Sequence, residues 1–227
     1  MSRHPLNNRV HLAKRIASGL FILHSADLVH KIVRPDNIVL LDRESRESGE
    51  ERYPWRLGEP FRVGFNVARR ADAASLMLRT EEWRRNIYLS PERQRLQHGD
   101  HFRAQHDLYS LGVVLLEISF WSSFQDSRSE NLGSRVWKKE RVQKTEPSAP
   151  EYKKVLRTPE ELRDQYLLLA TRYVPRLMGQ KFADVIVSCL NGLKDKAGTS
   201  ALEDLDGIVV GSAYLTHIIR KLEQISL

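Results

Sequence analysis

The chain has 227 residues, 36 lysines and arginines against 29 acids, a net charge of +7 and 41% hydrophobic residues, enough apolar material for one cored domain or two small lobes. A single cysteine, Cys189, excludes an intrachain disulfide framework, no apolar run reaches the length of a membrane span, and the polar, basic residues after Met1 carry no signal-peptide core. Charges of both signs are interspersed, so the positive balance permits contact with nucleic acid or anionic membrane without arguing for it, and the expectation is a soluble, intracellular, cytoplasmic protein.

Apolar residues at helical spacing (Val10, Leu12, Ala13, Ile16, Ala17, Leu20, Phe21, Leu23) predict an amphipathic helix from Leu6 to Ala26. His30-Lys31-Ile32-Val33-Arg34-Pro35-Asp36-Asn37 then reads as a loop. It feeds a short apolar strand, Ile38 to Leu41. Asp42 to Pro54 is charged and aperiodic, a long loop, and Phe61-Arg62-Val63 alternates as the partner strand. Gly64-Phe65-Asn66 has turn chemistry. Asp107 to Ile118 is apolar nearly all round, so a buried central helix is expected over 105–120, with Asp107 either as a cap or holding the upstream loop by accepting its N–H groups. Trp121 to Tyr152, rich in Ser, Glu, Arg and Lys, reads as a mobile connection over 121–157 with one short helix. Trp137-Lys138-Lys139-Glu140-Arg141 carries one aromatic and mixed charge, too little for a single-strand binding groove. Thr158-Pro159-Glu160-Glu161 is a helix start. Pro175 begins another helix through Leu190, Gly192 to Gly211 is loop-like, and a last helix runs from Ser212 to Gln224. Cys189 lies in an apolar run and is expected to be buried.

The loop at His30 resembles the catalytic loop of eukaryotic protein kinases, His-Arg-Asp-Leu-Lys-Pro-Glu-Asn followed by an apolar strand. His30, Pro35 and Asn37 match, Arg34 keeps the charge of the family's lysine, and Asp36 keeps the acid. Leu23 to Val29 resembles the approach to that loop, Leu89-Ser90-Pro91-Glu92 the Ala-Pro-Glu that closes the activation segment, and Asp107 to Gly112 the Asp-x-x-Ser-Leu-Gly helix. The match is dense from Leu23 to Glu117. It is similar to the divergent kinase-like domains of filamentous fungi, with their Arg-Pro-Asp-Asn loop and Gly-Phe in place of Asp-Phe-Gly. The implied fold is mainly α, a kinase-like C-terminal lobe over 1–227 with a small β-hairpin beside the catalytic-loop region 23–41, a degenerate segment 64–92, and C-terminal helices over 158–227. Residues before His30 are taken up by one helix and no GxGxxG occurs, so the family's β-rich N-terminal lobe is expected to be absent.

Two positions depart from the family in kind. Ile32 stands where the family has the aspartate that handles the substrate hydroxyl's proton, and Gly64 where it has the aspartate that holds magnesium. Isoleucine cannot take a proton, glycine supplies no side-chain oxygen, and Asn66 offers a neutral one at the wrong offset. The catalytic set is therefore vestigial (His30, Lys31, Ile32, Arg34, Asn37), with Asn37 and Arg34 the remaining candidates for phosphate or magnesium and Gly64, Phe65 and Asn66 a degenerate Asp-Phe-Gly. Glu92 is expected to be partly buried with a cationic partner, although Asn191 to Ser212 contains no arginine to serve. Val67 to Tyr88 resembles an activation segment, with Ser75, Thr80 and Tyr88 as candidate phosphate acceptors near arginines, while Trp83 and Tyr88 are expected to pack. The resulting expectation is a catalytically impaired pseudokinase module that binds a protein partner or a separate N-lobe across an exposed apolar surface, with no cofactor. The alternative is an atypical or fragmentary Ser/Thr-type kinase using ATP and magnesium, its N-lobe supplied elsewhere and Asp36 or Asp42 as substitute acid. A scaffold for nucleic acid or anionic lipid rests on net charge alone.

Overall fold

The computed structural model describes residues 4–31, 33–41, 57–65, 68–70, 83–95, 102–125, 137–141, 152–193 and 208–226. Helix α1 (Leu6–Ser25) buries Val10, Leu12, Ala13, Ile16, Ala17 and Leu20, the stripe its spacing predicts. Strand β1 (Leu28–Val29) follows, then a 3-10 turn (Pro35–Asn37) begun by the fixed φ of proline. Strand β2 (Ile38–Leu41) pairs antiparallel with β3 (Glu59–Arg62), in the register Ile38 to Arg62 and Leu41 to Glu59. Strand β4 (Arg69–Arg70) returns to pair with β1. Two short helices, α2 (Trp83–Asn86) and α3 (Pro91–Arg95), bracket the next turn.

Helix α4 (Ala104–Phe120) is the axis of the core, buried without interruption from His106 to Ser119. An all-round apolar helix is stable only when every face is covered, and each fully buried Leu, Ile or Val contributes about 1.5–3 kcal/mol. Trp121 ends it in the left-handed conformation, φ 50°. Beyond it the chain forms β5 (Trp137–Arg141) and β6 (Tyr152–Leu156), an antiparallel hairpin. The described part of the stretch read as a mobile connection is thus a hairpin, and residues 126–136 and 142–151, with the short helix expected there, lie outside the described residues.

Helix α5 (Pro159–Arg172) starts on a reciprocal cap: Thr158 Oγ1 accepts from Glu161 N, and Glu161 Oε2 accepts from Thr158 N at 2.9 Å. The single helix expected from Pro175 to Leu190 is divided at Gly179 (φ 86°) into α6 (Val174–Met178) and α7 (Gln180–Leu190), a break a glycine makes cheaply. The final helix begins earlier than its sequence pattern suggests, as α8 (Ile208–Tyr214), and runs through a π turn (Leu215–Ile219) into α9 (Arg220–Glu223). Among the described residues no helix is long and apolar enough to cross a membrane.

Helices α4 and α7 meet at Gly112. A Cβ built there would lie 2.9 Å from Cys189 Cβ and 3.2 Å from Leu190 Cγ. Cys189 is fully buried, and burial pushes its thiol well above the usual range. Gly112→Ala is therefore expected to destabilise. Overpacking costs about 1–3 kcal/mol against a helix-propensity gain of at most about 1 kcal/mol, and the net loss is read from the urea midpoint at unchanged slope. A stabilised Gly112→Ala would mean that the two helices separate freely.

Candidate functional site

The loop from His30 is held from below by one side chain. Asp107 sits at the fourth position of α4, fully buried, and Arg103 is the N-cap residue. Its Oδ2 accepts from His30 N at 2.7 Å and its Oδ1 from Lys31 N at 2.9 Å. His24, the last α1 residue of this group, places Nε2 3.2 Å from Oδ2. Both carboxylate oxygens are thus committed to the loop. Lys31 adopts φ 69°, a conformation a lysine takes at a cost and keeps only where its surroundings fix it. The two N–H bonds to Asp107 do that here.

His30 is fully buried. Its Nε2 lies 3.1 Å from Val63 O, and its ring meets that of Phe65 edge-on, centroids 5.0 Å apart. Val63 N in turn donates to Asn37 O at 3.0 Å. These contacts bring the His30 loop, the 3-10 turn and the Gly64-Phe65 pair into one cluster. Within it the carboxamide of Asn37 lies against Gly64: a Cβ at Gly64 would sit 2.9 Å from Asn37 Cγ and 3.0 Å from both Oδ1 and Nδ2. Gly64 itself has φ 83°. Ile32 and Asn66 lie outside the described residues.

The described residues of this cluster lack the carboxylates that usually hold magnesium together with phosphates. Its one described candidate ligand is the neutral Asn37. Asp36 is turned to other partners, its Oδ2 3.4 Å from Arg34 Nε and 3.1 Å from Gln125 Nε2. Among the described residues no three His, Cys, Asp or Glu side chains converge on a common point. The substitution that would return an acid, Gly64→Asp, meets both the positive φ and the Asn37 carboxamide. It is expected to lower stability by about 1–3 kcal/mol in urea unfolding, and the Ile32→Asp, Gly64→Asp pair is expected to show no phosphoryl transfer. A pair of wild-type stability that transfers phosphate would refute this geometry.

Beside this cluster lies a second one, centred on Glu117, a residue that none of the sequence motifs assigns a role. Glu117 is buried, and its Oε1 accepts from Tyr88 OH at 2.9 Å and from Phe124 N at 2.6 Å. Burial pushes the carboxyl up to about 7, outweighing the hydrogen bonds that favour its ionised form. Tyr88 is buried as well. Burial, then the Glu117 charge, push its phenol far above the usual range. The tyrosine offered as a phosphate acceptor is therefore a packing and hydrogen-bonding residue. Ser75 and Thr80 lie outside the described residues. The signal available in the sequence was a lone acid, Glu117, within an otherwise apolar run. Glu117, with Leu12, Ile16, Ile38, Val114 and Ile118, borders a cavity of about 310 Å³ between α1, β2 and α4.

Glu92 departs from expectation. It is exposed, and among the described residues it makes no ion pair, while its neighbours Arg93 and Gln94 are half-buried. The segment is fixed instead by Tyr166 OH to Ile87 O (3.0 Å), Ser110 Oγ to Tyr88 O (2.8 Å) and Arg95 Nη2 to Glu160 Oε1 (2.6 Å).

The family described as protein tyrosine and serine/threonine kinase matches this chain over residues 2–162, well over half of its 227 residues. The chain belongs to this kinase family. A relative among characterised proteins, the serine/threonine-protein kinase ATG1 of Komagataella pastoris, is 32% identical over 113 residues, which is 48% of this chain and 14% of that protein. The chain thus spans a small part of that relative's length. Within this kinase-family chain the matched residues include every part of the cluster around His30, Asn37, Gly64 and Asp107, together with Glu117 and Tyr88.

Proposed function

We propose that this kinase-family chain is a catalytically impaired, pseudokinase module resembling the family's larger lobe, which acts by binding and regulating another polypeptide. The observation that carries the reading is Gly64 with the Asn37 carboxamide packed against it, in a sequence that also puts Ile32 where a proton acceptor is needed. Loss of a positioned general base costs on the order of 10²–10⁴ in rate, and loss of the acidic metal ligand removes the charge that holds magnesium to the phosphates. A binding role is supported by the hairpin of β2 and β3. Val39, Leu41, Phe61, Val63 and Phe65 are all exposed there, Phe61 at 51% and Phe65 at 49%. Contiguous exposed apolar side chains of this kind mark contact surfaces, and an N-lobe or a partner protein is the occupant this reading implies.

The test is calorimetric titration of the purified chain with ATP, with and without magnesium. The expected result is no magnesium-dependent binding. A second reading, an atypical Ser/Thr-type kinase whose N-lobe is supplied elsewhere, is favoured by the loop frame that Asp107 maintains and by the serine/threonine kinase relative. On that reading Asn37 and Arg34 carry the phosphate site. Magnesium-dependent ATP binding abolished by Asn37→Ala would establish it and overturn the first.

A further inference from the structure

The cavity of about 310 Å³ between α1, β2 and α4 joins apolar walls to a buried acid. Leu12 and Ile16 from α1, Ile38 and Leu40 from β2, and Val114 and Ile118 from α4 make the walls. Residues three and four apart share a helix face, so the turn of α4 that supplies Val114 and Ile118 also brings Glu117 to the same side. Ser122 and Ser123, just past the end of α4, add hydroxyls. Apolar walls with a few placed polar groups are the make-up of a small-molecule site.

The acid is only half satisfied. Glu117 is 6% exposed. Its Oε1 accepts from Tyr88 OH and Phe124 N, whereas Oε2 is buried with no hydrogen-bond partner among the described residues. Burial pushes the carboxyl up to about 7, against the hydrogen bonds and the nearby Ser123 hydroxyl that favour its ionised form. Of the titratable groups around it, Tyr88 favours ionisation through its hydrogen bond and Asp36 opposes it by like charge. The walls from α1 and β2 bring Leu12, Ile16, Ile38 and Leu40, none of them charged. Stripping a buried charge of its partner is costly because the charge left behind stays desolvated. The converse holds here. The fold has already desolvated this carboxylate, so a cation reaching Oε2 gains the attraction and gives up only its own hydration.

We infer that the cavity between α1, β2 and α4 binds a small arylalkyl amine, its ring among the apolar walls and its ammonium group on Glu117 Oε2. An ammonium matches a buried carboxylate oxygen, and a charge-assisted hydrogen bond is about twice as strong as a neutral one. Size sets the rest. An apolar cavity of about 150 Å³ takes up benzene, and roughly twice that volume holds a ring with a short arm. At about 310 Å³ the cavity stands at the small end of ligand sites, which run from about 300 to 1,000 Å³. The inference stands apart from the pseudokinase reading, since His30, Asn37 and Gly64 do not line the cavity.

The experiment is calorimetric titration of the full chain with phenethylamine and with phenethyl alcohol, its neutral match. The amine is expected to bind with a Kd of about 1 mM or tighter and to be preferred over the alcohol by about 10-fold or more. Its affinity should rise by about 10-fold from pH 6 to pH 8, as Glu117 ionises while the amine stays protonated. Glu117→Gln keeps an acceptor for Tyr88 OH and Phe124 N. It should bring amine and alcohol within about 3-fold of each other and remove the pH dependence. Leu40→Trp, at an exposed position on the wall, should narrow the cavity and weaken both ligands by about 10-fold, with the circular dichroism spectrum unchanged. A Kd for the amine above about 1 mM would overturn the inference. So would equal affinity for amine and alcohol in the wild type, an affinity flat with pH, a preference for the amine that survives Glu117→Gln, or binding indifferent to Leu40→Trp.

Discussion

Asp107→Ala is expected to cost about 3–5 kcal/mol of unfolding free energy. The side chain is fully buried and gives both oxygens to the N–H groups of His30 and Lys31, with His24 beside them. Removing it strands two donors, each worth about 1–3 kcal/mol when buried and unsatisfied. An ordinary helix cap would cost only about 1 kcal/mol, so the magnitude separates the two roles. Asp107→Asn should fall between, because one oxygen remains while the amide N–H₂ faces a backbone donor. A companion change tests the mechanism. Lys31 holds φ 69°, so Lys31→Gly removes the strain that Asp107 maintains, and it should recover part of the loss in the double mutant while changing the wild type little. Urea unfolding followed by circular dichroism reads the wild type and the four variants. A loss below about 1 kcal/mol for Asp107→Ala would show that the loop is held by something else.

How much of this could be read beforehand depended on whether the deciding interaction is local. The stripe of α1, the all-apolar run of α4 and the Thr158–Glu161 cap are patterns within a few residues, and each appears where the spacing puts it. The β2–β3 pairing was legible across its long loop because an apolar run, Ile38 to Leu41, is followed by the alternating Phe61-Arg62-Val63. The β5–β6 hairpin was not. Its strands are polar, with no apolar alternation to mark them in the sequence. The break at Gly179 was hidden inside a continuous apolar period, and its φ of 86° is a property of the packed chain. The exposure of Glu92 shows the limit of a motif, since the Ser-Pro-Glu sequence sets a short helix and says nothing of what covers it. Most distant from sequence is the Tyr88–Glu117–Phe124 cluster, which ties the turns at Tyr88 and Phe124 to α4 through one carboxylate oxygen.

That carboxylate leads to the second large effect, a pH dependence visible only when one of two opposing groups is removed. Burial raises Glu117 from 4.5 to about 7, and burial lowers His106 from 6.5 to about 4. Around Glu117 lie Tyr88 and Asp36. Around His106 lie Glu92, Arg93, Asp107 and Arg103. For Glu117 the folded value is the higher one, so its contribution is fully present below pH 4.5 and is lost as pH rises through 7. For His106 the folded value is the lower one, so its contribution is present above pH 6.5 and is lost as pH falls through 4. Each separation is about 2.5 pH units, roughly 3 kcal/mol at about 1.36 kcal/mol per unit. Between pH 4.5 and 6.5 the folded chain holds one proton more at Glu117 and one fewer at His106 than the unfolded chain, so the two slopes cancel. Glu117→Gln keeps an acceptor for Tyr88 OH and Phe124 N and uncovers the histidine: its stability should rise with pH across that window by about 1 kcal/mol per unit. His106→Gln keeps an acceptor for Arg103 N and uncovers the glutamate, so its stability should fall with pH by a similar amount. The double mutant should be flat again. At pH 8 Glu117→Gln should exceed the wild type by roughly 2–3 kcal/mol, because the wild type then carries a buried carboxylate with only one oxygen hydrogen-bonded among the described residues. Parallel pH profiles for wild type and both single mutants would show that neither group titrates out of step with the unfolded chain, and the buried Glu117 carboxyl would then have to be solvated by water reaching it through the adjoining cavity.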